Sequence, residues 1–131
     1  MEIAGKRRIL VVDDEQTIAK SVTWVLNIEG FETRTAFNGA EAIQTAESFG
    51  PDALICDVLM PGISGVETAE HIRAMFPMCK VLLISGHVSL ADLIPNNPEG
   101  EHRFDFLPKP VHPRVLIERL RNLLHGTPPR E

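Results

Sequence analysis

Residues 53–65 read ALICDVLMPGISG, an apolar run followed by one aspartate and then a loop that contains a proline and two glycines. The run Ala53–Cys56 is typical of a strand in a parallel sheet whose two faces are both covered. A carboxylate at the end of such a strand needs a partner, a proton or a chemical role. Asp57 is therefore the first candidate for a functional residue.

Other runs along the chain also indicate strands. Ile9–Val12, Val81–Ile84 and Phe104–Leu107 read as fully buried strands like Ala53–Cys56. The run Glu32–Thr35 is more polar and fits a strand at the edge of a sheet. The chain therefore predicts five strands, four of them buried on both faces.

Helical patterns fill the gaps between these strands. The first helix has an apolar face formed by Ile18, Val22, Val25 and Leu26. Trp24 lies at the edge of that face, and we expect it to be core or half-buried. This alternation of strands and helices predicts an α/β fold, a doubly wound five-stranded parallel sheet with right-handed crossovers.

Three helix starts carry recognisable signals. Asn38 with Glu41, and Ser64 with Glu67, have the spacing of a capping box. Pro113 suits the first turn of a last helix.

The segment between the fourth and fifth strands is a poor helix former. Residues 92–100 contain two prolines, two asparagines and a glycine. We therefore expect a disrupted fourth helix and a remodelled segment at residues 92–102.

Composition sets the class of protein. The 131 residues are enough for one domain with a proper core, and the formal net charge of −5 argues against a nucleic-acid-binding surface. The apolar run Ile9–Val12 is too short for a signal sequence or a membrane span, which predicts a cytoplasmic protein with no membrane partner. Cys56 and Cys79 fall in or beside apolar runs and read as reduced core thiols.

Three acids fall at the ends of predicted strands. Asp13 and Asp14 follow the first strand, and Asp57 follows the third. Ligands of an open parallel sheet gather outside the carboxyl ends of its strands. If these strands are neighbours, the three carboxylates converge, and their repulsion calls for protonation or a cation. Oxygen ligands of this kind suit Mg²⁺.

Two more polar residues follow later strands. Ser85 comes after Val81–Ile84, and Lys109 comes after Phe104–Leu107. A hydroxyl and an ammonium at the same edge of the sheet could hold a phosphoryl group. Each residue alone also has a simpler interpretation as a helix cap, a turn former or a surface lysine. Their shared position at strand ends favours a site for phosphoryl transfer.

The ordered motifs ILVVDDE, DVLMPGISG, ISGH and FDFLPKP resemble those of the receiver domain of two-component response regulators. The resemblance covers about Arg8 to Leu124. It implies the flavodoxin-like strand order 2-1-3-4-5. It also implies a receiver domain at residues 1–126, followed by a disordered tail or the start of a linker at residues 127–131.

The resemblance assigns a role to individual residues. Asp57 matches the aspartate that accepts a phosphoryl group from a sensor histidine kinase or a phosphotransfer protein. Asp13, Asp14, Asp57 and the backbone carbonyl of Leu59 match the Mg²⁺ ligands. Ser85 matches the hydroxyl that reports phosphorylation and Phe106 the aromatic switch position. Lys109 matches the lysine that pairs with the phosphoryl group, and its bond to Pro110 is often cis in the family.

The resemblance also implies a signalling module that switches a protein–protein surface, rather than a turnover enzyme. Its output partner is unknown, and the chain could be a single-domain regulator or part of a longer one. Two positions tune the lifetime of the phosphorylated state in the family, Leu59 and His87. An apolar Leu59 cannot orient an attacking water, which predicts a long-lived phosphorylated state.

Three alternatives stay open. A phosphohydrolase with an aspartyl-phosphate intermediate, resembling the haloacid dehalogenase group, needs a second acid where this chain has Leu59. A non-phosphorylated scaffold would have no need for the complete set of polar residues. A dinucleotide-binding fold is disfavoured because Asp13, Asp14 and Glu15 occupy the place of a glycine-rich loop.

Overall fold

The computed structural model describes residues 6–86 and 104–125 of the chain. The bounds of its elements are β1 Arg8–Val12, α1 Gln16–Ile28, β2 Glu32–Ala36, α2 Gly39–Phe49, β3 Ala53–Asp57, α3 Gly65–Met75, β4 Lys80–Ser85, β5 Asp105–Pro108 and α4 Pro113–His125.

The five strands form one parallel sheet in the order β2-β1-β3-β4-β5. This arrangement confirms the predicted doubly wound α/β fold and its strand order. The predicted disruption of a helix at residues 92–102 lies outside the described residues, as does the tail at residues 127–131.

Two hydrophobic cores cover the two faces of the sheet. Successive side chains of a strand point to opposite faces. In β1, Leu10 and Val12 therefore join the core that also contains α2 and α3 side chains. Ile9 and Val11 join the core that contains α1 and α4 side chains. Burial on both faces explains why the central strands read as unbroken apolar runs.

One of the two edge strands agrees with the sequence prediction and the other does not. The polar β2 lies at one edge of the sheet, as predicted. The prediction of a fully buried fifth strand was wrong, because β5 forms the other edge and Asp105 and Phe106 are only partly buried. Among the described residues, β5 pairs with β4 and with no other strand.

The face that helix α1 turns to the core matches the predicted one only in part, since Leu26 is buried there and Val22 packs against the core. Its buried residues are Ala19, Thr23 and Leu26, whereas Ile18 is 37% exposed and Trp24 is 66% exposed. Thr23 tolerates burial because its hydroxyl donates to the carbonyl of Ala19 at 3.1 Å. Trp24, one residue further round the helix, therefore turns outward, and its predicted packing was wrong.

The predicted helix starts are largely confirmed. Ser64 and Glu67 form a complete capping box at the start of α3. Asn38 caps α2 by accepting from the backbone NH of Glu41 at 2.8 Å. The reciprocal bond differs from the prediction, because the Glu41 carboxylate accepts from the NH of Phe37 at 2.6 Å. Pro113 begins α4, as predicted.

Both cysteines are free and buried, as the sequence predicted. Burial is the main cause that raises the pKa of the Cys56 thiol well above its usual range, and burial also raises the pKa of Cys79 to about 12. Thiols held in this form are poor nucleophiles and metal ligands.

Candidate functional site

The register of the sheet brings the strand-end residues to one edge. Val12 pairs with Cys56, so the next residues along, Asp13 and Asp57, lie side by side. The ladder continues past the strand ends, since the NH of Asp13 donates to the carbonyl of Ala36 at 3.2 Å. Asp57 and Ser85 are the last residues of β3 and β4, rather than the first residues after them.

Three carboxylates meet at this edge. Ligand oxygens of Asp13, Asp14 and Asp57 all lie within 4.8 Å of one another. Asp13 and Asp57 are buried, and Asp14 is exposed. Burial is the main cause that raises the pKa of Asp57, and the charges of Asp13 and Asp14 raise it further against the opposing effect of Lys109. The site therefore holds more negative charge than it stabilises by itself.

Lys109 lies between two of these carboxylates. Its ammonium nitrogen is 3.3 Å from Asp13 Oδ2 and 3.4 Å from Asp57 Oδ2. Burial alone would lower the pKa of Lys109, but the charges of Asp57 and Asp13 and their hydrogen bonds outweigh it and raise the pKa. Lys109 is therefore a fixed positive charge beside Asp57.

The backbone around Lys109 is held against the end of β4. The NH of Lys109 donates to the carbonyl of Ser85 at 2.8 Å. The Lys109–Pro110 peptide bond is cis, as the resemblance implied. The hydrogen bond to Ser85 holds Lys109 at the carboxyl edge of the sheet.

The loop between β3 and α3 is fixed to the strand that carries Asp57. The NH of Gly65 donates to the carbonyl of Val58 at 2.7 Å. A Cβ at position 65 would collide with the carbonyl oxygen of Asp57. Only glycine allows this close approach, and the capping box of Ser64 then starts α3 directly beside the site.

The two proposed switch residues lie at different depths. Ser85 is 1% exposed and ends β4. Phe106, on β5, is partly buried and packs against the core that contains α2 and α3 side chains. Leu59, two residues after Asp57, is 44% exposed. Its position leaves an apolar side chain at the rim of the site.

The donor set fits a hard divalent cation. Carboxylate oxygens are the ligands that Mg²⁺ prefers, and one or two protein carboxylates with several waters complete its shell. Burial, together with the charges of Asp13 and Asp14, raises the pKa of Asp57, so a bound cation would favour its ionised form. Asp13, Asp14 and Asp57 are thus suited to hold Mg²⁺ beside Lys109.

The sequence interpretation assigned no role in the acidic site to two residues, Glu15 and Gly65. Glu15 has a carboxylate oxygen 4.0 Å from the Lys109 ammonium, and its NH donates to Asp13 Oδ1 at 2.9 Å. A third acid in a row was a visible signal for Glu15. Gly65 was visible as a poor helix former inside the first turn of α3.

The histidines among the described residues, His71, His112 and His125, are exposed. His87 and His102 lie outside the described residues. Within residues 6–86 and 104–125, the helices are too short and too polar to cross a bilayer.

The fold and the site define a doubly wound α/β protein with an acidic, lysine-bridged pocket at the carboxyl edge of its sheet. The model of the response regulator receiver domain family matches residues 9–121. The chain belongs to this family and is a receiver domain of two-component signalling.

Curated relatives include response regulator MprA of Mycobacterium avium (strain 104), which is 33% identical over 124 residues. That match covers 95% of this chain and 54% of the relative. The same regulator from Mycobacterium ulcerans (strain Agy99) is 33% identical over 92% of this chain and 51% of its own length. The chain therefore spans about half the length of the curated relatives it matches.

Solved structures share the fold. A CheY-like receiver domain protein from Methanospirillum hungatei JF-1 superposes with a TM-score of 0.81 at 27% identity, covering 92% of this chain and 94% of that one. Response regulator TrrA from Thermotoga maritima, in complex with Mg²⁺-BeF, has a TM-score of 0.77 at 34% identity, covering 90% of this chain and 99% of that one.

Proposed function

We propose that this domain accepts a phosphoryl group on Asp57 in a Mg²⁺-dependent reaction and thereby switches a protein-binding surface. The observation that carries the proposal is the Lys109 ammonium 3.4 Å from Asp57, next to carboxylates whose oxygens lie within 4.8 Å of one another. This arrangement supplies a nucleophile, a cation site and a charge partner for a phosphoryl group.

The chemistry starts from the ionised carboxylate of Asp57. One of its oxygens attacks the phosphorus of a phosphohistidine, the P–N bond breaks, and the leaving imidazole takes up a proton. Lys109 stays charged throughout and moves its contact from the carboxylate to the phosphoryl oxygens. Mg²⁺, when bound by Asp13, Asp14, Asp57 and the Leu59 carbonyl, supplies charge that makes the crowded site tolerable.

The switch uses the charge that phosphorylation adds at the ends of β3 and β4. Ser85 ends the strand next to β3, which supports a role in which its hydroxyl turns towards a phosphoryl group on Asp57. Phe106 packs in the neighbouring strand and can reorient into space that Ser85 vacates. Phe106 has no hydroxyl, so it reports only through its burial.

The proposal includes the partners and the extent of the domain. The phosphoryl donor is a sensor histidine kinase or a phosphotransfer protein, and a further protein reads the output surface. The net charge of −5 disfavours direct binding to nucleic acid by this domain. We assign residues 1–126 to the receiver domain, residues 127–131 to a tail or linker, and the cytoplasm as its location.

The domain assists its own phosphorylation and dephosphorylation without being a turnover enzyme. A phosphohydrolase of the aspartyl-phosphate type needs an acid two residues after the nucleophile, and Leu59 occupies that position. Steady release of phosphate from a simple phosphate ester would favour the hydrolase instead.

Incubation with acetyl phosphate, with and without Mg²⁺, tests the proposal by intact mass spectrometry. We expect wild type to gain the mass of one phosphoryl group only with Mg²⁺, and Asp57→Asn to gain none. Asp105→Asn is the matched control, because Asp105 begins β5 away from the carboxyl edge, and it should be modified like wild type. Equal modification of Asp57→Asn would contradict the proposal.

A further inference from the structure

A cavity of about 570 Å³ extends from the phosphorylation site between α1 and α4. Small-molecule sites in proteins commonly enclose about 300–1,000 Å³, so the cavity is large enough for a small organic ligand. Its α1 wall consists of small and branched side chains, such as Ala19, Ser21 and Val22, which do not fill the space below α4.

The body of the cavity is apolar. Its floor is formed by strand residues Val11, Ile55 and Ile84, and its walls include Val25 and Leu116. Burial of an apolar group against these side chains is favourable.

The cavity is charged at one end only. Asp13, Asp57 and Lys109 line that end. Two further carboxylates lie close by, since Asp14 belongs to the acidic cluster and Glu15 lies 4.0 Å from the lysine. Counted over the described residues, four carboxylates against one ammonium make this end attractive to a cation and repulsive to an anion.

We propose that the cavity binds small amphiphiles that combine an apolar body with a protonated amine, the amine lying at Asp13 and Asp57. Such a ligand places its apolar body along Val22 and Leu116 and its charge where a divalent cation would sit. Amine-headed molecules and Mg²⁺ therefore compete. If Asp57 is the phosphoryl acceptor proposed above, these ligands also oppose phosphorylation, but their binding does not depend on it.

The test is a titration of the Mg²⁺-free protein with 4-phenylbutylamine, followed by NMR of methyl groups in the cavity. We expect shifts at Val22, Val25 and Leu116, and about tenfold weaker binding of 4-phenylbutanol and 4-phenylbutyrate, which lack the cationic head. Added Mg²⁺ should raise the apparent Kd of the amine. Equal affinity for the three compounds, or no effect of Mg²⁺, would overturn the proposed position of the head group.

Substitutions in the walls of the cavity test where the ligand binds. Val22→Phe fills the cavity and should weaken amine binding about tenfold, and Val111→Phe should do the same from the opposite wall. Ile28→Phe is the matched control, because Ile28 is on the same helix but 62% exposed, and it should bind like wild type. Unchanged binding in a folded cavity variant, or shifts confined to Trp24 and Ile28, would contradict a ligand inside the cavity.

Discussion

Asp57 is a buried carboxylate whose ionised form is unfavourable in the folded protein. It is 8% exposed, with the buried Asp13 beside it and Lys109 as its nearby cation. Burial and its acidic neighbours raise its pKa, so the ionised form that a nucleophile needs is penalised in the folded state. The burial and acidic neighbours of the proposed nucleophile therefore reduce the stability of the fold.

We therefore expect Asp57→Asn to raise the free energy of unfolding at pH 7 in Mg²⁺-free buffer. The native state keeps the Asp57 proton to a higher pH than the unfolded chain, so the free energy of unfolding falls as the pH rises above the ordinary pKa of 3.8. We expect a gain of about 1 kcal/mol, since the lost contact with Lys109 offsets part of the relieved repulsion.

Urea denaturation at several pH values measures the effect. The gain should shrink below about pH 3, where the carboxyl is protonated in both states. Asp105→Asn is the control and should show no gain. A less stable Asp57→Asn protein at pH 7 would show that the pair with Lys109 outweighs the repulsion.

A second prediction concerns Leu59 and the lifetime of the phosphorylated protein. Its side chain is 44% exposed and has no group that can orient water for attack on an acyl phosphate. We expect Leu59→Asn to shorten the lifetime of phosphorylated protein several-fold, measured by loss of the phosphoryl mass after the donor is removed. Leu59→Met, also apolar, should keep the wild-type rate. An unchanged rate in Leu59→Asn would refute the assignment.

The shared location of Asp13, Asp57 and Lys109 could be predicted from the sequence, because each lies at the end of a recognisable strand. It could not show their distances, which depend on the register between strands distant in the chain. Trp24 was misplaced because the intrahelical hydrogen bond of Thr23 allows a polar residue in the core, and residue hydropathy does not record such bonds.

At the scale of elements, the junction between β3 and α3 holds the site together. The NH of Gly65 and the capping box of Ser64 fix the loop against the end of β3. The sequence predicted this capping box from its spacing. It did not reveal that α3 approaches the backbone of Asp57 so closely that a Cβ at position 65 has no room.

Gly65→Ala is therefore expected to destabilise the fold by at least about 2 kcal/mol, because the new Cβ collides with the backbone at Asp57 and Val58. It should also slow phosphorylation, since the loop has to move. Thermal unfolding and the acetyl phosphate reaction measure the two effects. Gly86→Ala is the control, because its Cβ would lie 3.9 Å from Lys109, an ordinary contact. A Gly65→Ala protein as stable as wild type would contradict the close approach.

For the whole molecule, alternation of strands and helices was sufficient to predict the fold class. Continuous apolar runs appear only where both faces of a strand are covered, which identified β1, β3 and β4 as interior strands. The error at β5 arose because Phe104–Leu107 was read as a buried strand although Asp105 interrupts its apolar residues. The strand order came from the family resemblance.

The central claim is that one pocket, built from residues distant along the chain, receives a phosphoryl group on Asp57. The most direct measurement is a crystal structure of the protein with Mg²⁺ and beryllofluoride, a phosphoryl mimic. We expect beryllofluoride on Asp57, with Lys109 in contact and Ser85 turned towards it. Beryllofluoride bound elsewhere, or absent while the cation is bound, would contradict the account.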